Sequence, residues 1–272
     1  MKPSPALGAR MPEVRSVQTI VTEDARALAE QAGGLILSRI RDAFAASGAA
    51  RIILAGGTTP RQAYTLLSTR ILADKVPVER LAWFFGDERW VTPDHPESNE
   101  GMARETLLRR IAAPEATIHS WNAGRGDPLE CARHYGQLVR NTMGTAAHVA
   151  DLLILGLGAD GHTGSLFPGA TAYFPGSAGV PVGADVPWDA AAVEVGKDRG
   201  WRLTLCPGFL GTSRCVIFLV AGRDKAAALR RAREGEPSTP GSWIRGETTI
   251  FIVTRDAMGP ERPDTGPPTR HA

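Results

Sequence analysis

Short apolar runs alternate along the chain with longer segments whose apolar residues recur at helical spacing. In the first long segment, Leu28, Ile36, Ile40 and Phe44 fall on one helical face, and Thr22 is a suitable N-terminal cap. We predict strands at residues 16–21, 50–55, 81–85, 118–121, 151–155, 191–195, 202–206, 215–220 and 249–254. We predict helices at residues 22–47, from Pro60 onward, from Ser98 or Asn99 to 110, at 128–142 and at 224–234.

This alternation predicts an α/β protein with a Rossmann-like, open, mostly parallel sheet and helices on both of its faces. We expect one α/β domain over residues 16–255, a flexible arm at 1–15 and a disordered tail at 256–272. The Gly- and Pro-rich segment 168–187 is expected to be a long loop or flap. Ligands of such sheets bind beyond the carboxyl ends of the strands, so the loops after residues 55, 85 and 155 are the candidates for chemistry.

The composition of the chain limits the kinds of ligand and partner that it can bind. The 272 residues carry a net charge of +2, with no basic excess for a nucleic acid, and no apolar run is long enough to span a membrane. Three cysteines without CxxC spacing argue against a disulfide framework or a cysteine zinc site. We expect a cytoplasmic protein without metal or cofactor, either a monomer or a weak homodimer. Basic residues are mostly arginine, but Lys225 stands at a helix start, where an anionic ligand is its natural counter-charge.

Two loops offer groups for an anion. Gly56-Gly57-Thr58-Thr59-Pro60 separates a strand from a helix, which suits a phosphate, although an ordinary capped turn has the same composition. After residue 85, Asp87, Glu88 and Arg89 form either a solvated turn or a site. In a site, the Arg89 guanidinium binds a phosphate or carboxylate, Asp87 holds Arg89 or a sugar hydroxyl, and Asn99 adds a polar contact.

The loop after residue 155 matches GxGxxG at 156–161, but Pro168 and Gly169 end any following helix too early for a dinucleotide-binding motif. The loop instead presents Asp160 and His162. A histidine at a strand's carboxyl end can act as a general base, and Asp160 can orient its ring, although many single histidines are structural. No HExxH or similar spacing indicates a metal.

Taken together, the loops resemble the 6-phosphogluconolactonase family. The matching segments are LAGGTTPRQAYTLL (54–67), FFGDERWVTPDHPESNEGMARETLL (84–108), DLLILGLGADGHTGSLFPG (151–169) and, more weakly, VIFLVAGRDKAAAL (216–229). The resemblance implies hydrolysis of 6-phospho-D-glucono-1,5-lactone to 6-phosphogluconate in the pentose phosphate pathway, with a phosphorylated sugar lactone as the small-molecule partner.

The resemblance also implies roles for individual residues. The resemblance makes His162 the base. From the residues themselves we expect Asp160 to support it, and the loop containing Gly158 and Gly161 to stabilise the oxyanion through its backbone N–H groups. Predicted binding residues for the phosphorylated substrate are Gly56, Gly57, Thr58, Asp87, Arg89, Asn99, Arg202 and Lys225.

Three alternatives stay open. An amino-sugar-phosphate isomerase or deaminase shares the fold, but its family has Asn-Glu-Pro where this chain has Leu166-Phe167-Pro168. A noncatalytic sugar-phosphate sensor would not need His162 and Asp160. A lactonase acting on another sugar is compatible with departures from the family pattern around residues 197–211.

Overall fold

The strand at Cys215–Val220 is buried along its whole length because it lies inside a six-stranded parallel sheet. A computed structural model describes residues 16–143, 148, 150–176, 178–183, 186, 188–196 and 200–259. In chain order the elements are β1 (Ser16–Thr22), α1 (Ala25–Ser47), β2 (Ala50–Leu54), α2 (Thr58–Ala73), β3 (Leu81–Phe85), β4 (Asp87–Arg89), α3 (Asn99–Ala103), α4 (Pro128–Met143), β5 (Leu152–Gly156), β6 (Thr171–Tyr173), β7 (Val180–Pro181), β8 (Ala190–Glu194), β9 (Trp201–Leu205), α5 (Pro207–Leu210), β10 (Cys215–Val220), α6 (Ala226–Glu234) and β11 (Thr248–Thr254).

The parallel sheet has the order β1-β11-β10-β5-β2-β3, which confirms the predicted Rossmann-like α/β fold with helices on both faces. The chain runs outward from β2 to β3 and later builds β5 and β10 on the other side of β2. The β2–β5 pairing covers only Ile52 with Leu152 and Ile53 with Leu153, and the strands then separate. A crevice therefore opens at their carboxyl ends, the usual ligand position in this class of fold.

A second, antiparallel sheet of order β4-β9-β8-β6-β7 was absent from the sequence prediction. The apolar runs at 191–195 and 202–206 are strands as predicted, but they pair with each other and with β4 and β6. The expected long loop at 168–187 contains β6 and β7, so this part of the prediction was wrong. Their short, Gly-interrupted segments lack a strand pattern; β6 is stabilised by pairing with β8, and β7 by pairing with β6.

Several element ends also differ from prediction. The side chain of Asp24, rather than Thr22, caps α1, because it accepts a hydrogen bond from the Ala27 N–H (2.8 Å). Pro60 is the third residue of α2 instead of the first. Segment 118–121 forms a single bridge, between Ile118 and Trp83, and is not a strand.

The predicted flexible arm and disordered tail at the two ends of the chain rested on composition alone. The 3₁₀-helical turn Arg255–Met258 directly follows β11, so residues 256–258 are ordered and the predicted tail boundary was too early. A hydrogen bond between the Thr254 hydroxyl and the Asp256 carboxylate holds this turn against the end of the strand. The predicted arm at 1–15 and the remainder of the predicted tail, from residue 260, lie outside the described residues.

Candidate active site

The crevice between β2 and β5 contains a cavity of about 220 Å³, bounded by the carboxyl ends of β2, β5 and β10 and by β4. It brings together nine of the residues predicted from the sequence, namely Gly56, Gly57, Thr58, Asp87, Arg89, Asn99, Gly158, His162 and Lys225. Asp160, Gly161 and Arg202 do not line the cavity. Loops distant in sequence thus converge because the parallel strands end at one edge of the sheet.

The N-terminus of α2 faces this cavity without a side-chain cap. Its N-cap residue is Gly57, with φ of 103°, a conformation that favours glycine, and among the described residues no side-chain cap hydrogen bond is formed at this helix start. The first turn also lacks an acidic residue. Helix α1, by contrast, is capped by Asp24. The exposed N–H groups and the positive end of the helix dipole make the start of α2 suitable for an anion.

A buried tyrosine that the sequence analysis missed fixes the chain just before the glycines. Ala55 donates its N–H to the Tyr64 hydroxyl (2.9 Å), and that hydroxyl donates to the Ala55 carbonyl (3.0 Å). Tyr64 thereby satisfies backbone groups that lose a strand partner where β2 and β5 separate. Tyr135 makes the equivalent contacts with Phe85 at the end of β3. Tyr64 shares a helical face with Leu67 and Ile71, a spacing typical of ordinary core residues.

Two cations line the cavity. Lys225 Nζ lies 3.0 Å from a carboxylate oxygen of Asp224, and Arg89 donates one guanidinium N–H to the Glu97 carbonyl. Arg202, predicted to bind the same anion, lies directly opposite Arg89 in the β4–β9 pairing but outside the cavity lining. Arg89, Lys225 and the start of α2 therefore bring positive charge directly to the cavity wall.

Asp87 is a buried carboxylate at the cavity wall. Its Oδ2 accepts a hydrogen bond from the Ser165 hydroxyl (2.8 Å), and its carbonyl accepts one from the Asn99 amide (3.0 Å). Asp87 was predicted to hold Arg89 or a sugar hydroxyl. In this structure it joins the β4 segment to the loop that carries His162.

His162 and Asp160 form a close pair. The Nδ1 atom of His162 lies 2.6 Å from Asp160 Oδ1, and the same oxygen accepts the His162 backbone N–H (3.0 Å). Burial works to raise the pKa of Asp160, but these hydrogen bonds outweigh it and hold that pKa below its ordinary value. Because the ionised carboxylate only accepts, Nδ1 carries the proton in this contact, and in the neutral imidazole Nε2 is then the acceptor. Phe167 stacks on the ring, with centroids 4.5 Å apart.

The predicted oxyanion role of the Gly158 and Gly161 N–H groups is not supported. Gly158 donates its N–H to the His162 carbonyl (2.8 Å), and Gly161 donates to the Gly158 carbonyl (3.0 Å). Both donors are therefore used to close the loop around His162. The sequence could not reveal this, because the tight turn that uses these N–H groups depends on the path of the whole loop.

Glu88 is a site residue that the sequence analysis left unassigned. It is 1% exposed, and its carboxylate accepts hydrogen bonds from three backbone N–H groups and the Ser98 hydroxyl. Burial raises the pKa of Glu88 to about 7, against the opposing effect of the N–H donors. A charge between two polar neighbours, just after a strand, is typical of a solvated turn. Only the pairing of β4 with β9 shows which of these charged side chains is turned to the interior.

The described residues contain no group of three or more His, Cys, Asp or Glu side chains placed to hold a metal ion. In the same part of the chain, no helix combines the length and apolar character needed to cross a membrane.

Comparison with known proteins gives a consistent result. A family model described as glucosamine-6-phosphate isomerases/6-phosphogluconolactonase matches residues 23–252. A 6-phosphogluconolactonase of Synechocystis is 37% identical, with 85% of this chain and 92% of that protein covered, and one of Nostoc is 34% identical, with 89% and 96% covered. The crystal structure of 6-phosphogluconolactonase from Thermotoga maritima is similar at 25% identity and a TM-score of 0.73, covering 88% of this chain and all of that one.

Proposed function

This chain belongs to the glucosamine-6-phosphate isomerase/6-phosphogluconolactonase family, and on that basis we propose that it is a 6-phosphogluconolactonase. The reaction is hydrolysis of 6-phospho-D-glucono-1,5-lactone to 6-phosphogluconate, a step of the pentose phosphate pathway. One observation carries the proposal: a single cavity lies beside both the His162–Asp160 pair and the uncapped start of α2, which is flanked by two cations.

His162 activates the attacking water. With Nδ1 bound to Asp160, Nε2 accepts a proton from water as the oxygen attacks the lactone carbonyl carbon. The resulting imidazolium then returns the proton to the ring oxygen as the ester bond breaks. General base catalysis of this kind contributes about 10²–10⁴-fold. A strained ester needs no covalent nucleophile for this chemistry.

Remote binding energy holds the lactone near the base. The phosphate lies at the start of α2, between Arg89 and Lys225, and this anchoring converts the attack into an oriented reaction. Gly158 and Gly161 donate their N–H groups elsewhere, so the oxyanion needs another donor. Gly164 borders the cavity in the same loop, and we assign its backbone N–H to this role.

The deaminase alternative draws on the breadth of the family model and on one solved relative. A monomeric glucosamine-6-phosphate deaminase has a similar fold at a TM-score of 0.72, but at 19% identity this similarity concerns the fold alone. Leu166-Phe167-Pro168 favours the lactonase, since the deaminase family has Asn-Glu-Pro at this place. Ammonia release from glucosamine 6-phosphate, with no lactone hydrolysis, would support the deaminase instead.

The test is a coupled assay on freshly generated 6-phosphogluconolactone, with the spontaneous opening of the lactone subtracted. His162→Ala should lose about 10²-fold or more of kcat while its Kd for 6-phosphogluconate stays near the wild-type value. His134→Ala, an exposed position on α4, is the matched control and should behave as wild type. Near-native turnover by His162→Ala would refute the mechanism. Phosphate-ligand binding by a wild-type chain without lactone turnover would favour a sensor.

A further inference from the structure

We propose that Glu88 is a positioning residue whose buried carboxylate fixes the segment 97–100 and, through it, the anion-binding geometry of Arg89 and Asn99. Strand alternation creates the arrangement. Asp87 and Arg89 border the cavity, whereas Glu88, between them, is turned to the interior and is 1% exposed. Burying a carboxylate costs free energy, so its place there calls for groups that need a charged acceptor.

Four donors converge on the two carboxylate oxygens. Oε1 accepts the backbone N–H groups of Asn99 (2.7 Å) and of Arg89 itself (2.8 Å). Oε2 accepts the Glu100 N–H (2.8 Å) and the Ser98 hydroxyl (3.0 Å). One side chain thus holds both the strand that carries Arg89 and the start of α3.

Two contacts transmit this restraint to the cavity. The Glu97 carbonyl, adjacent to the restrained residues, accepts a hydrogen bond from Arg89 Nη1 and so fixes one side of the guanidinium. The Asn99 amide lies directly against the anion loop, where a Cβ at Gly56 would stand 1.7 Å from Asn99 Oδ1. A shift of segment 97–100 would therefore move Arg89 and the glycine loop together.

The ionised carboxylate, which predominates above the Glu88 pKa of about 7, is the form that presents no hydrogen to these donors. A carboxylate has about four lone-pair sites, which matches the four donors. A glutamine of the same shape places an NH₂ group against an N–H group on one side of the network. Glu88→Gln therefore disturbs the geometry of the segment without creating a cavity.

The inference rests on the proposed function for the identity of the anion, a sugar phosphate, and it is tested by binding. Calorimetric titration with 6-phosphogluconate and with inorganic phosphate compares wild type, Glu88→Gln, Arg89→Ala and the double variant. We expect Glu88→Gln to weaken 6-phosphogluconate binding about tenfold or more, and to raise KM by a similar factor with a smaller change in kcat. In the Arg89→Ala background the same change should weaken binding by a clearly smaller factor, because only the contact through Asn99 is left to transmit the shift.

Glu79→Gln, the same change at an exposed position, is the control and should leave Kd unchanged. If Glu88→Gln fails to fold, Ser98→Ala removes one of the four donors and should weaken binding in the same direction, by a smaller factor when Arg89 is absent. A folded Glu88→Gln protein with wild-type Kd, or an equal loss in the Arg89→Ala background, would overturn the inference. Wild-type binding without lactone turnover would instead refute the proposed function, and the Kd comparison would still decide the role of Glu88.

Discussion

Gly158→Ala tests whether catalysis depends on the geometry of the His162–Asp160 pair. A Cβ at Gly158 would stand 2.1 Å from His162 Nδ1 and 2.6 Å from Asp160 Oδ1, far inside van der Waals contact. The imidazole must therefore retreat by about 1 Å or more, and the 2.6 Å contact between the pair is lost. Misplacement by about 1 Å costs on the order of 10²-fold in rate. We expect a fall of that size in kcat, with a loss of about 1–3 kcal/mol in the free energy of unfolding.

The coupled lactone assay measures kcat and KM, thermal unfolding confirms the fold, and titration with 6-phosphogluconate reports on the anion site. Gly208→Ala is the matched control, since a Cβ there meets no atom within 4 Å, and it should match wild type. Binding by Gly158→Ala should also stay within a few-fold of wild type, because the glycine loop and the cations are untouched. A folded Gly158→Ala enzyme with more than about a third of wild-type kcat would refute the dependence on this geometry.

Three further predictions follow from the contacts. Tyr64→Phe leaves the Ala55 N–H and carbonyl without hydrogen-bond partners in the interior. It should therefore lower the free energy of unfolding, measured by chemical denaturation, by about 2–4 kcal/mol, and it should also raise KM. A loss of less than about 0.5 kcal/mol would contradict this expectation. Asp160→Asn should cut kcat by about 10²-fold or more without changing the Kd for 6-phosphogluconate, because the amide no longer fixes the His162 tautomer; unchanged kcat would show that the pair is not coupled. Burial raises the pKa of Glu88 from 4.5 to about 7, so the folded state favours the protonated side chain. The resulting contribution to the free energy of unfolding is complete below pH 4.5 and is lost as the pH rises to 7. The stability of wild type relative to Glu88→Gln should fall by up to about 3 kcal/mol across that interval, and a flat difference would contradict it.

Local pattern was sufficient for most of the elements and for the position of the chemistry. The apolar runs that became β2, β5 and β10 were identified from residue order alone, since a strand buried on both faces must be apolar throughout. Parallel strands end at one edge, so the loops after β2 and β5 had to meet. His162 stood out because a titratable ring there can contact a ligand, and the fold places it at the cavity wall.

The sequence did not determine which strands pair with each other. The runs at β8 and β9 have the same composition whether they join the parallel sheet or form a second one, and only pairing with β4 and β6 decides between the two. The side of β4 that Glu88 occupies depends on that pairing too. A charged triplet reads as a solvated turn until the second sheet fixes its alternation.

The sequence by itself determined the fold class, the loops that carry the site and the types of residue available there, because these follow from periodicity and from strand polarity. Only the tertiary structure decided which groups of those loops are free to act. The Gly158 and Gly161 N–H groups donate to carbonyls of their own loop, and Arg202 lies outside the cavity lining. Tyr64 and Glu88, whose positions in the sequence look ordinary, bind backbone groups beside the cavity. The physical reason is that most buried donors and acceptors must find a partner, and those partners come from segments far apart in the chain.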